Sequence, residues 1–160
     1  MKPRSFRYPP TALRSAYALA IVGMAIGFGP LLFARPAALF RWGLGIMGVL
    51  FLVYFARTVV RQYTRIEVDS RGIGARGPLG VAIPWDDVRA AKLNYYSTRP
   101  DRSGGWMEFV IRGRGRSIRI ESTLADFAVC VAEIVRELRA RGVTIDETTR
   151  NNLRALDIHL

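Results

Sequence analysis

The chain has 160 residues, half of them hydrophobic, and a formal net charge of +11. That length suits a single domain, and the single cysteine, Cys130, excludes an internal disulfide and fits a reducing cytoplasm. A pI near 11 raises nucleic-acid binding as a class. The distribution of charge argues against it: all thirteen acidic residues lie at or beyond Glu67, while residues 1–56 carry only Lys2, Arg4, Arg7, Arg14, Arg35 and Arg41. More than half of the excess charge therefore belongs to a region that is otherwise apolar, where membrane topology explains it better.

In chain order, residues 1–15 are a basic N-terminus, expected on the cytoplasmic side. Residues 16–34 follow without a charge, rich in Gly and Ala. Nineteen helical residues at about 1.5 Å each come to roughly 28 Å, close to the hydrocarbon thickness of a bilayer. Pro30 is placed to kink the last turn, which spanning helices tolerate. Arg35-Pro36 breaks the run, and residues 37–56 form a second span whose one charge, Arg41, sits beside Trp42 near its start, placed to snorkel. So short a connection requires an antiparallel hairpin. Four cations before the first span and Arg57, Arg61 and Arg65 after the second, against Arg35 and Arg41 at the turn, place both termini in the cytoplasm by the positive-inside bias. A cleaved signal peptide would have a shorter apolar core with a small-x-small site and no second run, and buried helices of a soluble protein would show a polar face. The spacings Gly23-x-x-x-Gly27 and Gly43-x-Gly45-x-x-Gly48 let helices approach closely.

Beyond residue 60 short alternating segments predict strands: Gln62–Asp69, Gly72–Arg76, Val81–Trp85 and Val88–Tyr96, the last two on either side of an Asp86-Asp87 bend. Thr98–Gly105 is a loop. Trp106–Arg112 and Ser117–Glu121 flank Gly113-Arg114-Gly115 as an antiparallel hairpin. Leu124, Phe127, Val131, Ile134, Val135 and Leu138 then repeat at helical spacing, with Thr123 and Asp126 resembling a capping box and Gly142 a stop. Residues 142–160 form a polar, partly helical tail, with its helix over Asp146–Leu156. Together these predict an α+β membrane protein: a transmembrane helical hairpin over 16–56, then a curved antiparallel sheet or open barrel capped by a C-terminal helix.

The order Thr64-x-x-x-x-Asp69-x-x-Gly72-Ile73, a Gly-rich turn, Ile83-Pro84-Trp85-Asp86-Asp87-Val88, a hairpin and a terminal helix resembles the bacterial pleckstrin-homology-like domains of small membrane proteins, over about residues 60–141. The resemblance implies a seven-stranded barrel plugged by the helix, varied binding or accessory roles, no shared catalytic residue, and the bacterial inner membrane as location.

Gly72-Ile73-Gly74-Ala75-Arg76-Gly77 matches a dinucleotide fingerprint, but Pro78, Gly80 and Pro84 deny it the helix whose N-terminus would hold pyrophosphate. Asp86 and Asp87, as chain neighbours, point apart. His159, the one histidine, lies beside the C-terminus, and Cys130 sits among apolar helix positions. No nucleophilic triad and no metal site can be assembled, so no cofactor is expected. The feature that stands out is basic: Arg112, Arg114, Arg116 and Arg119 at a hairpin tip, with Arg99 and Arg102 in the preceding loop. This set is a candidate contact for anionic lipid or for a partner; no aromatic residues interleave with it as nucleic-acid stacking requires. The leading expectation is a membrane-anchored accessory module contacting a membrane protein complex. Lipid head-group recognition by these arginines is the alternative, and a membrane-bound enzyme a third.

Overall fold

The computed structural model describes residues 3–34, 36–99 and 104–158. Arg35, Arg102 and His159 therefore lie outside the described residues. The chain divides into two units, residues 9–63 and residues 1–8 with 64–160.

The first unit is a pair of helices, α1 (Pro10–Phe33) and α2 (Ala38–Tyr63), both longer than the apolar runs that predict them. Pro10 opens α1 at a position where its missing N–H loses nothing. Both helices are long and apolar enough to cross a membrane: their most apolar windows have mean hydropathies of 2.0 and 1.9 and are only 17% and 11% buried. They pair antiparallel through their smallest residues. A Cβ on Gly27 would stand 2.5 Å from the Gly48 amide nitrogen, and one on Gly23 would enter the Phe51 ring. Gly43, by contrast, faces open space. Near the other end the Tyr17 and Phe55 rings meet edge-on at 5.5 Å, and the Tyr17 hydroxyl donates to Gln62 Oε1.

The described residues of the second unit form seven strands in two antiparallel sheets. One has the order β1-β2-β3-β4 and the other β5-β6-β7, so the described strands form no closed barrel. β2 (Arg65–Val68), β3 (Gly72–Arg76) and β4 (Val81–Pro84) follow the predicted pattern, except that α2 runs through Gln62 and Tyr63 and shortens β2. Trp85–Asp87 form a single 3-10 turn that holds the Asp86-Asp87 bend, and β5 (Ala90–Tyr96) follows it. β6 (Trp106–Arg112) and β7 (Ser117–Glu121) pair as the alternation requires.

The N-terminus departs from expectation. Arg4–Arg7 is not a tail but strand β1, paired antiparallel with β2 from Arg4 opposite Val68 to Arg7 opposite Arg65. Phe6 and Tyr8 enter the core at 7% and 5% exposure. The helix pair is thus inserted between two neighbouring strands of one sheet.

Helix α3 (Phe127–Ala140) buries Phe127, Cys130, Val131, Ile134, Val135 and Leu138. Asp126 takes the N-cap position of α3, in the left-handed region at φ 54°, and its carboxylate makes no cap bond. The stop at Gly142 does form. With φ +71°, Gly142 donates to Arg139 O and Val143 to Leu138 O, the paired bonds of a Schellman end. The tail is more ordered than its polarity suggests. In α4 (Glu147–Arg154) Leu153 is fully buried and Thr149 nearly so. Helix α4 covers the outer edge of β5, where the Leu93 N–H donates to Thr149 Oγ1 at 3.0 Å and Asn152 Nδ2 donates to Leu93 O at 2.7 Å. An exposed strand edge is a template for stray pairing, and these two side chains occupy it.

Candidate functional site

The residues that carry the pleckstrin-homology-like resemblance have structural work. Asp69 Oδ1 accepts from the backbone N–H groups of Arg71 at 2.7 Å and Gly72 at 2.9 Å, closing the β2–β3 turn. The bond from the Arg71 amide holds the Asp69 carboxyl below the ordinary range. A Cβ on Gly72 would lie 2.4 Å from Ile83 O, so only glycine lets β3 and β4 approach here. Trp85, 2% exposed, donates its indole N–H to Asp69 O at 2.9 Å, and the Arg141 guanidinium lies 5.5 Å from its ring centroid. The motif is a lock between one turn and the end of β4.

On the far side of that lock is a groove of about 460 Å³ over the outer face of β3 and β4, floored by Gly72, Gly74 and Ala82. Its size is that of a small-molecule pocket, roughly 300–1,000 Å³. The acids beside it are already engaged, Glu67 with Arg76 at 2.6 Å and Asp69 in its turn. The dinucleotide-like glycines lie here in strand β3 and the turn after it, with no helix following. Among the described residues no group of three His, Cys, Asp or Glu could hold a metal. Cys130 is buried, and desolvation, reinforced by Glu133, pushes its thiol up to about 12. That suits a packed side chain rather than a nucleophile.

The hairpin arginines are brought together, but most are turned to internal partners. Arg114 lies 3.6 Å from Asp87, Arg119 lies 3.7 Å from Glu108, and Arg116 donates to Ala82 O at 3.2 Å. Arg112 ends β6, with its carbonyl accepting from Arg89. Arg99 stands in the β5–β6 connection, beside Gly104 rather than at the hairpin tip. Asp87 is an ion-pair partner and Asp86 an exposed turn residue.

Two features escaped sequence reasoning. One is an exposed aromatic stack at the start of β6, Tyr96 on Trp106 with centroids 5.6 Å apart, each 42% exposed. The other is a second arginine group, Arg7, Arg65 and Arg76, which strand register sets side by side on the outer face of the four-stranded sheet. The alternation in Arg65–Val68 signals that Arg65 faces outward, but nothing local marks Arg4–Arg7 as its partner strand. No family model, curated protein or solved structure matches this chain.

Proposed function

We propose that the protein is a membrane-anchored accessory module: its β-domain, held at the cytoplasmic face of a bacterial inner membrane, contacts a membrane protein complex. The observation that carries the reading is the insertion of the helix pair between β1 and β2. Because these strands belong to one sheet, the segments before α1 and after α2 share one side of any bilayer the helices cross. Arg14, Arg57 and Arg61 lie at that end of the helices, and the positive-inside bias makes that side cytoplasmic. The chain joins the domain to the helix pair at two points, Tyr8–Pro9 and Tyr63–Thr64, so the domain stays with the helix pair. That suits presenting one surface to a neighbour in the membrane plane rather than searching the cytoplasm.

Seven strands in two sheets with a helix packed against their core support a pleckstrin-homology-like assignment, in an open rather than closed form. The Tyr96–Trp106 stack, with Arg99 in the adjoining loop, is the contact surface this reading favours, since Tyr, Trp and Arg dominate interface hot spots. Photo-crosslinking in native membranes tests it. A crosslinker at Trp106 should trap one discrete membrane protein that one at Glu147, on the exposed side of α4, does not. Identical patterns from both positions, or none from Trp106, would defeat the accessory reading.

A further inference from the structure

Arg7 stands directly opposite Arg65, and Arg65 directly opposite Arg76, across β1, β2 and β3. Cβ atoms so paired lie about 4.5–5.5 Å apart, and like charges there destabilise a sheet. The register cannot slip to relieve them, because Phe6 and Ile66 alternate with these arginines and are buried at 7% and 1% exposure. Among the described residues one carboxylate serves the row, Glu67 on Arg76. Among the described residues Arg7 and Arg65 have no ion-pair partner, in contrast to Arg114 and Arg119 on the hairpin. Along the chain, Arg7 is three residues before Pro10 and Arg65 two after Tyr63. Three extended residues reach at most about 11 Å.

We propose that the Arg7–Arg65–Arg76 row is a lipid head-group site, binding the phosphate of an anionic phospholipid in the leaflet where the helix pair emerges. The proposal rests on the membrane-anchored reading above. Guanidinium forks match phosphate oxygens in pairs, and a phosphate bridging neighbouring strands supplies the counter-charge that the row lacks. The sheet fixes the three positions in advance, so little order is lost on binding. The groove floored by Gly74 and Ala82 begins beside Arg76 and leaves room for the rest of a polar head group.

The test uses the full-length chain in a mild neutral detergent, titrated with short-chain phosphatidylglycerol, short-chain phosphatidylcholine and inorganic phosphate. Phosphatidylglycerol should bind at least about tenfold more tightly than phosphatidylcholine. Arg7→Gln/Arg65→Gln should lose that preference, Arg7→Lys/Arg65→Lys should keep part of it, and Arg112→Gln/Arg116→Gln should keep all of it. The melting midpoint of the double Gln variant should hold or rise, because a like-charge contact is relieved. Should that variant melt early, Arg65→Gln alone must weaken phosphatidylglycerol binding by about threefold or more. Equal binding of the two lipids, or a preference that survives in the Gln variants, overturns the site. Inorganic phosphate binding as tightly as phosphatidylglycerol and displacing it overturns the lipid assignment in favour of a soluble anion. Alkaline carbonate extraction of membranes carrying the same chain separates the two levels of argument. A chain that washes off refutes the anchor itself; one that stays embedded without lipid preference refutes the head-group site alone.

Discussion

Among the described residues of 16–56, the buried positions are Ala20, Gly23, Gly27 and Gly48, while Leu32, Phe33, Leu39 and Phe40 are 76%, 91%, 82% and 68% exposed. In the β-domain the order is reversed: Phe109, Ile66, Ile73, Leu93 and Ile134 are inside, and arginines cover the outside. Water drives large apolar side chains inward, and that rule builds the domain. The helix pair buries what is small: across a bilayer there would be no gain in hiding leucine from a solvent as apolar as itself, and close backbone approach would supply the attraction. The contrast is the one expected of a helix pair in an apolar solvent beside a domain in water.

The sharpest break of this contrast is a large-to-small change on each side. Phe109→Ala should destabilise the domain by about 3–5 kcal/mol, enough to unfold it in a chaotrope titration followed by tryptophan fluorescence. Phe33→Ala removes the same ring from an exposed position and should change that titration by less than about 0.5 kcal/mol. Comparable losses from both would mean that the helix pair is packed like a water-soluble core.

Much of this contrast is readable from residues alone. The uncharged runs mark the helices, the alternation in Trp106–Arg112 and Ser117–Glu121 marks a hairpin, and Gly142 marks the end of α3. β1 is not readable, because Arg4-Ser5-Phe6-Arg7 offers one apolar residue and its partner strand lies beyond both helices. Nor is the docking of α4, whose surface is polar apart from Leu153 and whose key bonds go to a strand edge no local pattern announces. The candidate site suffered most. A run of arginines in sequence shows where cations are dense, but the acids beside Arg114 and Arg119 come from the 3-10 turn and from β6, and strand register alone aligns Arg7, Arg65 and Arg76.

A smaller effect, of opposite sign at two glycines, sharpens the comparison. Gly27→Ala places a Cβ against Gly48 backbone that cannot yield, and should cost about 1–3 kcal/mol of helix-pair stability in detergent, read by thermal unfolding or by spin-label distances. Gly43→Ala meets nothing within 4 Å and should gain up to about 1 kcal/mol from helix propensity.

The smallest effects are electrostatic, and they should touch one region only. Asp146 caps α4 by accepting from the Thr149 N–H at 2.8 Å, so Asp146→Ala should cost about 1 kcal/mol and speed amide exchange at Leu93. The Thr149 hydroxyl and amide hold the Asp146 carboxyl low, and the Arg71 amide does the same for Asp69. Each is depressed relative to the unfolded chain, so its contribution is complete above the unfolded value near 4 and disappears as pH falls through the folded one. Circular dichroism between roughly pH 5 and 2 should show the domain loosening while the helix pair, which contains no acidic residue, keeps its signal. Simultaneous loss of both would remove the distinction.

The placement of β1 also makes the four-stranded sheet depend on a contact between residues far apart in sequence. Arg4–Arg7 is synthesised before both helices, yet its hydrogen-bonding partner appears only after them. Joining the two directly would mean closing a loop of everything between them. Antiparallel pairing of α1 and α2 shortens that search, because it sets Tyr17 against Phe55 and Gln62 and so draws the helix ends adjoining β1 and β2 together. Helix pairing thus lowers the cost of the long-range β1–β2 contact that completes the four-stranded sheet.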